Sequence, residues 1–131
     1  MKYLLSLYHD EARVPELSPE QRQESMKRWD AYTIEVKDAG AFLGGEGLEP
    51  TALATTVQIQ PSGDHIVTDG PYAETKEQLG GFYLLDCENL DEAIAWARKI
   101  PMPGGKVEVR PVMDYEARGS AAHSQEAGAR R

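Results

Sequence analysis

The side chains best suited to chemistry are concentrated in residues 69–77, between two predicted strands that both read as buried. Asp69 stands at the end of the first of these strands, directly before Gly70-Pro71, and could point its carboxylate into a cavity as a general base. The same residue could instead cap the turn by bonding to the backbone of residues 71–72. The spacing therefore gives Asp69 a catalytic and a structural interpretation.

Other charged residues could bind a substrate. Glu74 and Lys76 could position a carbonyl or a carboxylate, and Lys76 could stabilise a developing anion. If the loop is solvated, its charges pair with each other and contribute little. Arg110 shares the polar side of the last predicted strand with Glu108. It is an anion anchor if that side faces a cavity and a surface residue if the side faces solvent.

A histidine and two tyrosines complete the candidate set. His9 ends the first predicted strand and is an acid or base if it reaches the interior, although a histidine at a strand end is more often a surface residue. Tyr8 and Tyr72 could donate phenol hydrogen bonds to a ligand or serve only in packing. His9, His65 and His123 show no paired ligand spacing, so we expect no metal site and no cofactor.

The composition argues against several classes of function. The chain has 131 residues, of which 40% are apolar, and a formal net charge of -8. So acidic a protein repels phosphate, which argues against binding to nucleic acids or to anionic membranes. No apolar run is long enough to cross a bilayer and no signal-peptide core is seen, so we expect a cytoplasmic protein. Cys87 lies in an apolar strand and is predicted to be a core residue.

The first part of the chain predicts a strand followed by a helix. Residues 3–8 are apolar on both faces, as expected for a central strand covered on both sides. Ser18 can cap a helix with Gln21 completing a capping box, and Gly40 marks the helix end. The residues at helical spacing that should face the core are Met26, Trp29, Thr33 and Val36.

The middle of the chain predicts three more strands. Residues 41–45 begin one of them, and its glycines indicate a bulge or a close approach to the backbone. Residues 54–60 should be a half-buried strand, and a turn joins it to residues 65–68 in a hairpin. Residues 81–87 are apolar on both faces like the first strand, so the two strands should lie side by side.

The last third predicts a second helix, capped by Asn89, and a final alternating strand at residues 106–112. This order indicates an α+β fold of the ferredoxin-like βαββαβ type, with two helices on one face of the sheet. The domain should span residues 1–115. Residues 116–131 lack periodicity and are predicted to be a disordered tail.

A sheet with helices on one face leaves its other face uncovered, although its central strands are apolar on both faces. A second, identical sheet is the simplest cover, because symmetric dimers are the commonest oligomers. We therefore expect a homodimer whose two sheets enclose a cavity for a small ligand.

Residues 69–77, together with residues 80–83 and 108–112, resemble the DGPF branch of the YCII-related family, with Tyr72 in place of the phenylalanine that names the branch. The resemblance covers residues 1–115 and implies a dimeric α+β barrel of ferredoxin-like chains. The wider family includes suspected enzymes, some in the degradation of chlorinated aromatics. Proteins of the DGPF branch are often encoded beside extracytoplasmic-function sigma factors, which makes such a factor a candidate partner.

Two classes of function are open at this point. The first is a cofactor-independent isomerase or lyase that transfers protons on a small organic molecule, with Asp69 as base and Lys76 or Arg110 holding the developing anion. The second is a non-catalytic dimeric module that binds a metabolite or a regulatory protein such as a sigma factor. Fold alone does not decide between them.

Overall fold

The computed structural model of the chain describes residues 1–124. Its elements are β1 (Lys2–His9), α1 (Pro19–Asp38), β2 (Phe42–Gly47), β3 (Thr55–Ile59), β4 (His65–Asp69), β5 (Gln78–Asp86), α2 (Leu90–Arg98), β6 (Lys106–Pro111) and the short α3 (Ala121–Ser124). Single 3-10 turns lie at Glu11–Arg13 and Thr51–Leu53. Residues 125–131 lie outside the described residues, so disorder of the tail from residue 116 stays a prediction.

Four strands form one antiparallel sheet in the order β2-β5-β1-β6. The predicted central position of β1 and its pairing with β5 are confirmed, with Leu5 opposite Tyr83 and Leu7 opposite Gly81. Val107 and Val109 of β6 lie opposite Leu7 and Leu5, and therefore on the same face. The architecture is an α+β fold consistent with the ferredoxin-like class.

The predicted helix caps are confirmed. The Ser18 hydroxyl accepts a hydrogen bond from the Gln21 amide at 3.1 Å, and the Gln21 side chain accepts one from the Ser18 amide at 2.9 Å. These bonds satisfy amides at the start of α1 that have no partner within the helix. The Asn89 side chain accepts from the Glu92 amide at the start of α2. Gly40 follows α1 with a φ of 75°, the left-handed conformation that glycine adopts most easily.

The core-facing side of α1 differs from the prediction. Val36 is buried and Trp29 is partly buried, but Met26 is 65% exposed. Tyr32 is buried instead, and its hydroxyl donates a hydrogen bond to the Trp96 carbonyl oxygen of α2 at 2.9 Å. Most side chains in the first half of α1 are exposed, so Met26 has little surface to pack against.

One face of the sheet carries the core. The side chains of Tyr3, Leu5 and Leu7 point from β1 toward the helices, and Leu85 of β5 joins them. Cys87 is buried in the same cluster, as predicted. The strands thus present one set of side chains, two residues apart, to both helices.

The other face, called the open face here, is formed on the central strands by Leu4, Tyr8, Phe82 and Leu84. These four side chains are half-buried, and none belongs to the group that packs against the core. Glu108 and Arg110 of β6 lie on the open face as well, opposite Ser6 and Leu4. The polar side of β6 therefore faces away from the helices.

The predicted hairpin is confirmed, but its first strand is not half-buried and its second strand is not buried. β3 and β4 pair only with each other, in a separate two-stranded sheet. Nine of their ten residues are exposed, Thr56 being partly covered. β3 does alternate between apolar and polar residues, but it belongs to the separate hairpin of β3 and β4, called the arm here, and not to the main sheet. β4, which precedes residues 69–77, is correspondingly not a buried strand.

A buried thiol, that of Cys87, and a buried phenol, that of Tyr32, predict a loss of stability at high pH. The pKa of the Cys87 thiol is raised from 9.0 to about 11, mainly by burial. Burial also raises the pKa of the Tyr32 phenol above its usual range. Between pH 9 and pH 11 the Cys87 thiol loses its proton in the unfolded chain but keeps it in the folded chain. The free energy of unfolding is therefore highest below pH 9 and falls as the pH rises toward 11. We expect Cys87 alone to account for roughly 2 kcal/mol of this loss.

Urea denaturation at pH 8 and at pH 11 measures the effect, with Cys87→Ala as the matched variant. The variant should start less stable, because it leaves a small cavity, yet lose less stability over the same pH interval. Parallel losses in the two proteins would show that the Cys87 thiol does not contribute to the pH dependence.

Candidate functional site

A cavity of about 360 Å³ lies on the helix-covered face of the sheet, between α1 and the β2–β5 edge. This volume is in the range of small-molecule sites. The residues that line it are Leu7, His9, Trp29, Thr33, Phe42, Gly45, Glu46, Gly47, Gly80, Gly81, Phe82, Tyr83 and Met102. We call it the glycine cavity.

Glycines create the space. Leu7, Gly81 and Gly47 form one row across β1, β5 and β2, and Tyr83 lies opposite Gly45 in the adjacent row. The two β2 residues that point toward α1 in these rows, Gly45 and Gly47, therefore have no side chain. A Cβ atom added at Gly47 would meet no heavy atom within 4 Å. The floor of the cavity is thus bare backbone that a flat molecule can approach closely.

Aromatic and aliphatic side chains form the walls. Trp29 of α1 stands on one side, and the rings of Phe42 and Tyr83 meet edge to face with centroids 6.4 Å apart. Glu46 and Phe82 also line the cavity, and they lie opposite each other at positions where strand alternation directs side chains to the open face. No Lys or Arg is among the lining residues of the described chain.

His9 reaches the cavity because β5 contains a bulge. The register between β1 and β5 shifts after Leu7, which leaves Gly80 without an opposite residue. A Cβ atom at Gly80 would lie 2.5 Å from His9 Cε1 and 2.8 Å from His9 Nδ1. Only glycine at position 80 allows the imidazole to lie where it does. Gly80 therefore provides the space that the His9 imidazole occupies.

The polar groups at the cavity are few. Thr33 Oγ1 and Tyr83 OH form a hydrogen bond of 2.8 Å, and either hydroxyl can be the donor. Since one hydroxyl hydrogen is used between them, the other remains available to an acceptor atom. Within residues 1–122, no hydrogen bond to the His9 imidazole is formed. The site thus combines one histidine and one hydroxyl pair in an otherwise apolar space.

Of the seven candidate residues from the sequence, His9 lines the glycine cavity. Tyr8 and Arg110 lie on the open face, where Arg110 Nη1 is 3.9 Å from Glu108 Oε1. Asp69, Tyr72, Glu74 and Lys76 are exposed. The structure therefore does not bring the seven together, and their proposed roles stay predictions.

The turn at Asp69 is fixed by its neighbours. The Gly70 amide donates a hydrogen bond to the Ala54 carbonyl at 2.7 Å, and the Thr56 hydroxyl donates one to the Gly70 carbonyl at 2.8 Å. Gly70 has a φ of 100°, which disfavours any other residue there. In the loop that follows, Glu77 pairs with Lys106 of β6. Residues 69–77 thus build the junction between the hairpin and β5.

Comparison with known proteins identifies the family of this chain. A family model described as the YCII-related domain matches residues 1–116. The chain belongs to the YCII-related family. An uncharacterized protein of Rhizobium meliloti (strain 1021) is 40% identical to it over 119 residues, which is 88% of this chain and 95% of that protein.

In this YCII-related domain, sequence reasoning missed most of the cavity. Trp29 and Thr33 were predicted to face the core. The glycines at 44–47 did give a signal, since they indicated a bulge or close approach, but nothing local indicated that Gly47 pairs with Gly81 of another strand. Met102 had no signal, because it lies in an irregular segment after α2.

In the described part of this YCII-related chain, no group of three or more His, Cys, Asp or Glu side chains is arranged to hold a metal ion. None of its helices has the length and apolar character that a bilayer-spanning helix needs.

Proposed function

We propose that this YCII-related protein is a cofactor-independent enzyme that transfers a proton on a small, flat, uncharged organic molecule in the glycine cavity. The observation that carries the proposal is the His9 imidazole, which lies at the cavity wall without a hydrogen-bond partner among the described residues. Imidazole is the side chain that most readily exchanges protons near neutral pH. His9 thus takes the role of base that the sequence gave to Asp69.

The remaining lining groups suit a carbonyl compound. Its ring would lie on the backbone floor at Gly47 and Gly81, beside Trp29. The free hydroxyl hydrogen of the Thr33–Tyr83 pair would bind the carbonyl oxygen and stabilise the negative charge that develops there. His9 would remove a proton from the adjacent carbon and return it to the same or another carbon, so that the net reaction is an isomerisation.

The preference for an uncharged ligand follows from the residues that line the glycine cavity. A carboxylate entering the cavity would leave water without an Arg or Lys side chain to pair with it. The net charge of -8 adds long-range repulsion of anions. An uncharged ligand avoids both costs.

Acetophenone and benzoate test the ligand class, because they are flat and similar in size but differ in charge. We expect acetophenone to shift the backbone amide NMR signals of Gly45, Gly47 and Gly81 at millimolar concentration, and benzoate to bind at least about 10-fold more weakly. Gly47→Leu should abolish the acetophenone shifts, because leucine fills the cavity. It should also raise stability by about 0.5–1 kcal/mol, because glycine weakens a strand.

Gly47→Ala is the graded control and should weaken acetophenone binding less than Gly47→Leu does. Acetophenone shifts confined to the open face would place the ligand elsewhere and refute the proposal. Equal binding of benzoate would refute the charge preference alone.

A non-catalytic ligand-binding module is the second candidate, and one observation favours it. Among the described residues, the titratable ones that line the glycine cavity are His9, Tyr83 and Glu46, and strand alternation directs the Glu46 side chain to the open face. Binding of acetophenone without proton exchange would favour this candidate. A link to an extracytoplasmic-function sigma factor rests on resemblance alone and stays a prediction.

We also propose that the chain belongs to the DGPF branch and forms a homodimeric α+β barrel in the cytoplasm. Residues 69–77 support the branch, and the uncovered apolar side chains of the open face support the dimer. A ligand between the two sheets, near Tyr8 and Arg110, would be a second site, separate from the glycine cavity. Sedimentation velocity at micromolar concentration tests the dimer.

A further inference from the structure

The outer edge of β2, called the β2 edge here, is not paired with any strand of the described residues. β2 stands first in the strand order β2-β5-β1-β6, so only one of its sides pairs, with β5. The arm forms a sheet of its own and does not pair with β2. An open edge of this kind presents backbone N–H and C=O groups that can pair with a further strand.

The hydrogen bonds between β2 and β5 show which backbone groups lie at the β2 edge. The Leu48 amide donates to the Gly80 carbonyl at 2.9 Å, so these two residues form a hydrogen-bonded pair. Such pairs alternate with non-hydrogen-bonded pairs along an antiparallel ladder, so Gly47 and Gly45 occupy non-hydrogen-bonded positions. Their N–H and C=O groups therefore point outward, away from β5. Among the described residues, no other group forms a hydrogen bond with them.

The opposite edge of the sheet, at β6, is protected against pairing. Lys106, Glu108 and Arg110 place charges along it, and Pro111 ends it without an amide hydrogen. Charged side chains and proline are common means of keeping an edge strand from pairing with another chain. In β2 the one charged residue is Glu46, and there is no proline. The β2 edge is thus the one open to an added strand.

A strand added at the β2 edge can reach the glycine cavity with a side chain. A residue paired with Gly47 would lie about 5.5 Å from it and direct its side chain to the same face of the sheet. This is the face that holds the cavity. A Cβ atom at Gly47 would meet no heavy atom within 4 Å, so a ring from the added strand can cross β2 to the cavity floor. Trp29 and Phe42 in the cavity wall favour an aromatic ring there.

Glu46 adds a preference for positive charge beside that ring. Its side chain is exposed and directed to the open face. Among the described residues it forms no ion pair. On an added strand, the residues before and after the one paired with Gly47 also face that side. A Lys or Arg there would lie next to Glu46, and the net charge of -8 adds long-range attraction.

We propose that the β2 edge binds an extended segment of a partner protein, in which an aromatic residue enters the glycine cavity and an adjacent Lys or Arg pairs with Glu46. In strand addition of this kind, backbone hydrogen bonds give affinity and the alternate side chains give specificity. The inference rests on the proposed function only in using the glycine cavity as a binding space.

A second copy of the chain does not supply the segment. Outside its strands and helices the aromatic residues of the chain are Tyr72 and Tyr115. Neither stands next to a Lys or an Arg. The occupant is therefore a segment of a different protein.

Three capped tripeptides test the pairing by NMR titration. They are acetyl-Lys-Phe-Lys-amide, the same peptide with an N-methyl group on Phe, and the same peptide with an N-methyl group on the second Lys. In the proposed pairing the Phe N–H points to the Gly47 carbonyl, whereas the N–H of the next residue points away. Methylation of Phe should weaken binding at least about 10-fold and methylation of the second Lys less than about 3-fold. Equal effects, or peptide-induced amide shifts at β6 in place of Gly45 and Gly47, would overturn the proposal.

Glu46→Gln tests the charge preference, with Glu88→Gln as the matched variant. Glu88 is exposed, follows β5 at the end far from Gly47, and carries the same charge. We expect Glu46→Gln to weaken binding of acetyl-Lys-Phe-Lys-amide about 2–5-fold and Glu88→Gln to leave it unchanged. Equal affinities of the two variants would overturn the pairing with Glu46.

Hydrogen exchange of the protein alone tests whether the edge is already filled. The amides of Gly45 and Gly47 should exchange without protection at micromolar concentration. Protection without peptide would mean that the edge is paired in the protein's own assembly, and would overturn the proposal. Acetophenone binding without peptide binding would overturn this inference and leave the cavity proposal standing. Peptide binding with the expected methylation effect, but no acetophenone binding, would do the reverse.

Discussion

A His9→Asn variant is expected to lose at least about 100-fold in the rate at which the methyl protons of acetophenone exchange with heavy water. Asparagine keeps the polar volume beside Gly80 but cannot accept and return a proton as imidazole does. Acetophenone affinity should change less than about 3-fold, because the floor and the aromatic walls remain. Proton NMR of the methyl signal in D₂O measures the exchange.

The matched control is His65→Asn. His65 lies on the arm, opposite Ile59 and outside the lining of the glycine cavity, so its loss should leave the exchange rate unchanged. If wild type and His9→Asn exchange the methyl protons equally while both bind acetophenone, His9 is not the base. The protein would then be better described as a ligand-binding module.

Leu5→Ala is expected to be the most destabilising single truncation in the sheet, at about 3–4 kcal/mol. The Leu5 side chain is completely buried, between the helices and the central strands. Its removal leaves a cavity that the surrounding elements cannot close. In a chain of this length, thermal unfolding should shift down by roughly 10–20 °C.

Leu4→Ala is the natural comparison, because Leu4 is the next residue on the same strand but points to the open face. We expect it to cost about 1 kcal/mol or less when dilute single chains are measured. Equal destabilisation by the two substitutions under those conditions would contradict the assignment of the core to one face of β1. At higher concentration, Leu4→Ala should additionally weaken the proposed dimer.

The sequence was sufficient to predict features that depend on residues close together in the chain. Ser18 and Gln21 form a capping box through groups three residues apart, so no distant contact is needed to predict where α1 begins. The alternation of β6 likewise separated Val107 and Val109 from Glu108 and Arg110. The place of β1 beside β5 also followed, because strands apolar on both faces belong at the centre of a sheet.

The sequence was insufficient where a choice depends on a partner far away in the chain. Helical spacing alone favoured Met26 as a core residue, whereas the position of α2 selects Tyr32 through its hydrogen bond to Trp96. Alternation in β3 predicted a half-buried strand, but alternation does not say whether a surface exists to cover it. The structure leaves that strand on an exposed arm.

What the sequence determined by itself was the set of elements, their caps and the parity of each strand, because these depend on groups a few residues apart. What only the tertiary structure decided was the site. The glycine cavity exists because Gly47 of β2 pairs with Gly81 of β5, and because Gly80, which has no opposite residue on β1, leaves room for His9 to face that space. A one-residue change of register reverses the face of every later side chain, and register is set by contacts between segments distant in the chain.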